Sequence, residues 1–471
     1  MRWAFLLLFM TACNVGPKLQ GPVVPINETW IETETTSDSA PAFDLWFEVF
    51  QDETLNALEL EAIAMSPDLE TALFRVEEAW AVAGIDQADL FPQLALQPAY
   101  QNSGQLIRLY RPPGLQNFPD EPYRIHLLGY LLPINLSYEV DLWGKHRNRA
   151  KAGCLSAWAQ LSAYKSALLT LTTEVASTYY TLKTLEATAL IYQDEIQQRQ
   201  EALSFFSSRY DKGIGQKLDV ETSKIELANT EAAYADTKRE IALQNHRLAA
   251  LIGRAPETFC LAPLESELSP PMIPAGVPTD ILVNRPDISE AELKRTAENA
   301  RVGAAKAEFF PSFTLTGALG YLSPTTQDFL SYQSRLWSMG ANADQTLFDG
   351  FRKYQNYQAS WARFDQADSN YRQLVLNAFK EVEDALASLR YEREKKEKYL
   401  IAQEASMNSL SLSKSRYSRG ITNRLEVIDN QRSTLAARLN HLNAAGATWQ
   451  ATLQLIRALG GSWGDICDKT Y

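Results

Sequence analysis

The sequence predicts an α+β membrane protein built as an internal tandem repeat. Strands from several copies close one β-barrel, continued by a long α-helical coiled-coil tube. Three observations carry that expectation. The stretch RYDKGIGQKLDV from Arg209 returns as RYSRGITNRLEV from Arg416, so one chain makes the same turn twice. Each copy of the turn joins two long runs with helical spacing of apolar residues. Ahead of each run lie short segments that alternate apolar and polar residues, the mark of strands with one greasy face.

Composition sets the outer limits. Among 471 residues there are 45 basic and 57 acidic, for a formal charge of −12. Phosphate recognition needs clustered Lys and Arg; no basic run of that kind occurs, which argues against nucleic acid as the partner. After the first dozen residues no stretch reaches the ~18 apolar residues of a spanning helix. A membrane crossing would have to be made by strands.

The chain starts MRWAFLLLFMTAC: one basic residue, a short apolar run, then small Thr11 and Ala12 before Cys13. That is a secretory signal too short to cross a bilayer. Its end resembles a bacterial lipoprotein cleavage site, so residues 1–12 read as the signal peptide and Cys13 as the lipidated first residue. Ordinary cleavage nearby is the plainer alternative. Asn14, where Asp would be the other choice, fits outer-membrane delivery in lipoprotein sorting. Cys154, Cys260 and Cys467 lack the CxxC spacing of zinc or redox sites. Three thiols, or a disulfide between two of them, both fit an oxidising compartment.

The duplication aligns without gaps over most of its length. A shift of 207 places Glu174 and Val175 on Glu381 and Val382, Gly213 and Ile214 on Gly420 and Ile421, and Gly253 on Gly460. Upstream, a shift of 219 places Pro67 and Asp68 on Pro286 and Asp287, and Gly84 on Gly303. The difference is assigned to the polar, Pro-rich segment RPPGLQNFPDEPYR from Arg111, since loops accept insertions that packed elements do not. The expected organisation is a lipidated, extended segment over 13–50, a first repeat over 51–264, a linker over 265–279, a second repeat over 280–461 and a tail over 462–471.

Within each repeat the elements follow one order. A helical lead-in rich in Ala, Glu and Leu comes first, closed by Phe91-Pro92 or Phe310-Pro311, because the residue before proline leaves the helical region. Next, LLPINLSYEVDL sets Leu132, Ile134, Leu136, Tyr138 and Val140 against Pro133, Asn135, Ser137 and Glu139. SFTLTGALGYL does the same with Phe313, Leu315, Leu319 and Tyr321. With weaker alternation from Gln93 and Leu336, this makes four strands in two hairpins, although Pro98 and Pro133 sit awkwardly in a ladder. The chain then runs helically from about Ala150 to Tyr210, roughly 90 Å at ~1.5 Å per residue. A second helix runs from about Leu218 to Ile252, matched by one from about Leu425 to Leu459 in the other half.

The twin motif therefore falls at the turn between the two long helices of each repeat. Gly213 and Gly420 take the left-handed position that stops a helix. Asp219 and Glu426 fall in the first turn of the next helix, where the dipole favours an acid; capping alone would account for them. The strands ask for more. Half-greasy strands facing lipid satisfy their backbone only in a closed barrel, and known bacterial barrels begin at about eight strands. Several copies must share one wall, and the result is a channel.

The sequence resembles the TolC family, the outer-membrane factors of tripartite efflux pumps and type I secretion, in its lipoprotein branch. The resemblance covers nearly the whole chain from Cys13 to about Gly461. It is carried by CNVGPKL and by Arg285, Pro286, Asp287, Ile288, Ala291, Glu292, Gly303, Ala304, Phe309, Phe310 and Pro311 in NRPDISEAELKRTAENARVGAAKAEFFPSFTLTG. It implies a homotrimer with a twelve-stranded barrel, four strands per chain, and a long periplasmic helical tunnel. The implied partners are outer-membrane lipid, a periplasmic adaptor protein and an inner-membrane pump.

Carried over by position, the tip turns with Gly213, Gly420, Arg209 and Arg416 would meet the adaptor. Glu426 and Asp429 would line the narrowest ring, and Tyr417 would hydrogen-bond Asp219 to hold the closed state. Some members carry a basic residue two places after the second glycine; this chain has Thr422 there, leaving Arg419 or Arg424 as the local cations for an ionic latch. The implied function is a passive exit channel for small molecules.

Two other readings compete: a type I protein-secretion conduit of the same fold, and a non-channel helical lipoprotein or adaptor without the strands. Catalysis has no support. His126, His146, His246 and His441 are scattered singly and expected at the surface, and GGSWG near the C-terminus lacks the strand and helix of a phosphate loop. No metal or cofactor is expected.

Overall fold

Ser66 and Pro67 cut the first helical lead-in into two helices. Helix α1 (Glu53–Met65) starts at Asp52, whose carboxylate accepts the N–H of Thr54 at 3.1 Å and of Leu55 at 3.2 Å, a capping arrangement. It stops where Ser66 turns extended ahead of Pro67. Helix α2 (Pro67–Ala88) opens on that proline, whose missing N–H is no loss in a first turn, with Asp68 and Glu70 beside it. The lead-in is thus broken where one continuous helix was expected. In the second repeat it is the single helix α5 (Pro286–Ala307).

The computed structural model describes residues 15–19, 21, 30, 45–107, 123–259, 261, 270, 271, 273 and 285–461. The expectations for the signal at 1–12, Cys13, the insertion from Arg111, Cys260, Cys467, most of the 265–279 linker and the 462–471 tail lie outside the described residues.

Strands β1 (Gln93–Leu96) and β2 (Ala99–Ile107) both pair antiparallel with β3 (Tyr123–Val140). Strand β3 pairs with β4 (Ser312–Ser323), and β4 with β5 (Arg335–Asp344). The sheet therefore joins the two repeats through β3 and β4. The first hairpin departs from expectation: Pro98, lacking an N–H, splits its leading strand into β1 and β2. Pro133 stays inside β3 because it faces Gly320, where a Cβ would lie 2.2 Å from the Leu132 carbonyl oxygen.

Directly opposed residues share a face, so the register sorts the side chains. Ile134, Leu319 and Trp337 stand in one row, and Tyr138, Leu315 and Ala341 in another. The opposite face carries Ser137, Thr316 and Gly340. The outward edges of β1, β2 and β5 pair with nothing among the described residues.

Helix α3 (Lys145–Asp211) follows β3 through Gly144 at φ 80° and has 67 residues; α4 (Lys217–Leu251) has 35. In the second repeat α6 (Arg352–Ser418) and α7 (Arg424–Ala458) have the same lengths, 67 and 35. Helix α3 begins several residues before the expected Ala150. The turn into α6 places Gly350 and Phe351 in succession at φ 67°. For a bulky residue that left-handed conformation costs about 1 kcal/mol or more. No helix among the described residues is long and apolar enough to cross a membrane.

The chain divides into two compact units, each drawn from both repeats. One holds the sheet with residues 77–158 and 293–369 and the N-terminal residues to Gly21. There α3 and α5 meet through Ala152, Ala297 and Ala300. The segment at Val15–Pro17 is pinned alongside: Val15 N–H donates to the Trp143 carbonyl at 3.5 Å, and Asn299 Nδ2 to the Pro17 carbonyl at 3.2 Å. A Cβ on Gly303 would sit 3.0 Å from Gly16 Cα. His146, expected at the surface, is buried instead, with Nε2 3.2 Å from Glu139 and Nδ1 3.8 Å from Asp89. It starts α3 under the strand end, and the two carboxylates cover it.

The other unit has the main core. Val175 and Leu248 of the first repeat and Val382 and Leu455 of the second are buried together at duplicated positions. Tyr180 stacks on Trp449 with ring centres 3.9 Å apart, and Phe50 packs against both. Asp52 accepts a hydrogen bond from the Tyr179 hydroxyl at 2.8 Å and an ion pair from Lys183 at 3.3 Å, seating α1 on α3.

Candidate functional site

The two helix-joining turns match down to their hydrogen bonds. Gly213 N–H donates to the Tyr210 carbonyl at 2.9 Å and Ile214 N–H to that of Arg209 at 3.0 Å. Gly420 N–H donates to Tyr417 at 2.9 Å and Ile421 N–H to Arg416 at 3.0 Å. With both glycines at φ 74°, each turn is a Schellman stop, which satisfies carbonyls that the helix end leaves open. Beyond the glycines, Ile214 and Leu218 are 65% and 71% exposed, and Ile421 and Leu425 62% and 60%. Each tip thus offers water the same apolar pair.

The acids are held differently in the two tips. Asn423 caps α7 by accepting the Glu426 N–H at 3.2 Å, whereas Gln216 makes no side-chain cap for α4. The Glu426 carboxylate receives the Thr422 hydroxyl and Arg416 Nη1, the latter at 3.3 Å. Thr422 stands where the first tip has Gly215, so this bracing exists in the second repeat alone. Asp429 is the most open of the acids and has Arg432 Nη1 at 3.9 Å.

Asp219 is taken by Arg424, whose Nη1 lies 3.5 Å from its carboxylate and donates to its carbonyl at 2.7 Å. The same guanidinium donates to the Ser223 hydroxyl and sits over Phe206, its central carbon 3.4 Å from the ring centre. Burial pulls the Arg424 pKa down from its ordinary value, and the Asp219 charge opposes that. Of the two latch cations considered from sequence, Arg424 is the one at the acid. The expected Tyr417–Asp219 hydrogen bond is not made within the chain among the described residues. Tyr417 instead lies near Arg424. Arg209 turns back onto its own tip, reaching the Ile214 carbonyl at 3.4 Å.

Two turns further in is an ion cluster that sequence reasoning missed. Arg199 of α3 donates to Glu195 at 2.8 Å and to both the carbonyl and the carboxylate of Glu226 on α4. Arg432 of α7 donates to the other Glu226 oxygen at 3.1 Å. The Arg432 hydrogen bond comes first among the causes that hold the Glu226 pKa below its ordinary value; burial works against it, and Arg199 adds to the lowering. A little beyond, Arg438 pairs with Asp194 at 3.0 Å. Helix α7 is thus tied to the first hairpin by three arginines. The signal was present in the spacing: Asp219 and Glu226 recur on one face of α4, and Arg424 and Arg432 on one face of α7.

A sheet with one greasy and one polar face, and paired helical hairpins with charged tips, define a class of membrane channel. The outer membrane efflux protein family matches residues 60–254 and 277–461, and the chain belongs to that family. It is 28% identical over 464 residues to the Escherichia coli protein named cation efflux system protein CusC, covering 97% of each chain. It is 27% identical over 471 residues to the Salmonella typhimurium protein named probable outer membrane lipoprotein SilC, again covering 97% of each. The solved structure of the outer-membrane channel OprN superposes with a TM-score of 0.87 at 26% identity, covering 96% of this chain and 100% of that one. The protein is an outer-membrane channel of the efflux type, with the fold that the resemblance implied.

Proposed function

We propose that three copies close one twelve-stranded barrel and pool their helical hairpins into one tube, the passive exit duct of a tripartite efflux system for small molecules. The observation that carries this reading is the five-stranded sheet, in which β1 and β2 together make one interrupted ribbon beside β3, β4 and β5. One face is apolar and one polar, and both outer edges are open among the described residues. Such edges are stable in lipid only when another chain pairs with them. Cys13 anchors the chain by its acyl groups; Val15, two residues on, is held at the end of β3 beside Trp143. The exposed Ile and Leu pairs beyond Gly213 and Gly420, flanked by Arg209 and Arg416, receive a periplasmic adaptor. Glu426 and Asp429 form the constriction, and Arg424 on Asp219 holds it shut.

Opening is a discrete shift of packed helices: an adaptor and an inner-membrane pump draw α7 away from α4, and Arg424 and Arg432 leave their acids. Substrate then diffuses out through a tube whose acids favour cations. The duct itself performs no chemistry. Native mass spectrometry together with planar-bilayer conductance tests the reading. A trimer with cation-selective conductance supports it, and a monomer without conductance overturns it.

A further inference from the structure

The sheet ends, on the side where the helices begin, in a groove of about 490 Å³ lined by Trp143, Lys145, Arg149, Asp344, Arg352 and Lys353. Its charges are not all committed. Lys145 pairs with Glu139 at 2.9 Å and Arg149 with Glu308 at 2.8 Å. Arg352, Lys353 and the Asp344 carboxylate make no ion pair among the described residues. Two bare cations beside one bare anion match a zwitterion: a phosphate to bridge the cations and an ammonium for the carboxylate. The floor is rigid, because Trp143 stacks on Phe310 at 4.8 Å and donates its Nε1–H to the Pro311 carbonyl at 2.8 Å.

The turn leading from β5 into α6 adds an apolar component. Leu347, Phe348 and Phe351 are 94%, 78% and 67% exposed, and the two rings brace each other edge to face at 6.0 Å. Phe351 holds a left-handed φ of 67° that aromatic residues avoid. Strained backbone of that kind tends to cluster at ligand clamps and switch regions. The turn continues directly from β5, whose Trp337 and Met339 are 74% and 87% exposed in an outer-membrane protein.

We propose that this groove and turn form a seat for one zwitterionic phospholipid of the phosphatidylethanolamine type. The phosphate lies on Arg352 and Lys353, the ammonium on Asp344, and Leu347, Phe348 and Phe351 enter the acyl region. Aromatic rings at headgroup depth with cations beside them are what a bilayer interface selects. The seat rests on the outer-membrane location and is independent of gating.

The test is native mass spectrometry of the detergent-purified full-length protein, back-loaded with phosphatidylethanolamine or with phosphatidylglycerol, which lacks the ammonium. The wild type should retain phosphatidylethanolamine preferentially, and the Arg352→Ser/Lys353→Ser double variant should retain about tenfold less, the scale of losing charge-assisted contacts. Asp344→Asn should abolish the preference between the two lipids while leaving retention itself in place. Equal retention by wild type and double variant, or a wild type that prefers phosphatidylglycerol, overturns the proposal. A second measurement does not depend on those variants folding. Benzoylphenylalanine incorporated in place of Phe348 should crosslink on irradiation to give an adduct of phospholipid mass; crosslinking to a second copy of the chain would overturn the assignment.

Discussion

Arg424 of α7 lies 3.4 Å above the ring of Phe206 on α3 while its Nη1 donates to the Asp219 carbonyl of α4. One side chain thus touches both helices of the first hairpin from the second. Ring stacking and a forked set of donors are things a guanidinium offers and an ammonium does not. Arg424→Lys should therefore behave much like Arg424→Ala, raising single-channel conductance of the purified protein severalfold and exposing the tips to protease. A lysine variant indistinguishable from wild type would show that charge alone closes the tip.

Glu426 and Asp429 differ in how firmly they are held. Glu426 is gripped by Thr422 and Arg416, and Asp429 is the more open. Neutralising both, as Glu426→Gln with Asp429→Asn, should lower cation selectivity in reversal-potential measurements and weaken block by multivalent cations. Thr422→Ala should free Glu426 without removing its charge, changing block more than selectivity. Unchanged selectivity in the double variant would reduce both acids to helix caps.

Two glutamates should give stability opposite pH dependence. Glu59 is fully buried on α1; its carboxyl faces the Ala176 backbone N–H, already committed within α3, and neither oxygen closes a hydrogen bond. Burial pushes its pKa well up. As pH rises past the unfolded value, the unfolded chain releases a proton that the folded one keeps, so stability falls by about 1.4 kcal/mol per pH unit until the folded group also ionises. Glu59→Gln should remove that slope in thermal melts above pH 5. Glu226, whose pKa its arginines depress, contributes stability that is present above the unfolded value and lost as pH falls through the folded one. Melts of Glu226→Gln should therefore lie below wild type at pH 7 and approach it in acid.

Gly320 is where the ladder accommodates a proline. A Cβ there would lie 2.2 Å from the Leu132 oxygen and 2.7 Å from Pro133 Cα, both backbone atoms that cannot step aside. Gly320→Val should abolish the heat-resistant oligomer on semi-native gels. Gly317→Ala, with its nearest neighbour at 3.7 Å, should assemble normally.

The parts of the fold that were legible are those set by a period along one element. Alternation in β3 and β4 placed Leu132 to Val140 and Phe313 to Tyr321 on one face before any pairing was known. The Arg-Tyr and Gly-Ile signature located both tip turns. What escaped depends on neighbours distant in sequence. Pro133 was awkward until Gly320 was seen opposite, and His146 was placed outside because nothing local shows that Glu139 and Asp89 cover it. The Arg199–Glu226–Arg432 cluster joins three helices, and no single helix period reports which helix stands beside which.

The arms of the two hairpins match residue for residue, 67 then 35 in each half, and end in the same Schellman turn. Length is consequently a shared property of the repeats. Trimming two heptads from the outgoing and returning arms of one hairpin would leave its apolar tip pair short of the other's and carry α7's arginines out of step with their acids. Evolutionary shortening or lengthening of this protein must come in matched quadruplets of insertions or deletions, one in every arm. A chimaera that borrows a single hairpin from a longer relative should insert in the membrane and yet fail to seal at the tip.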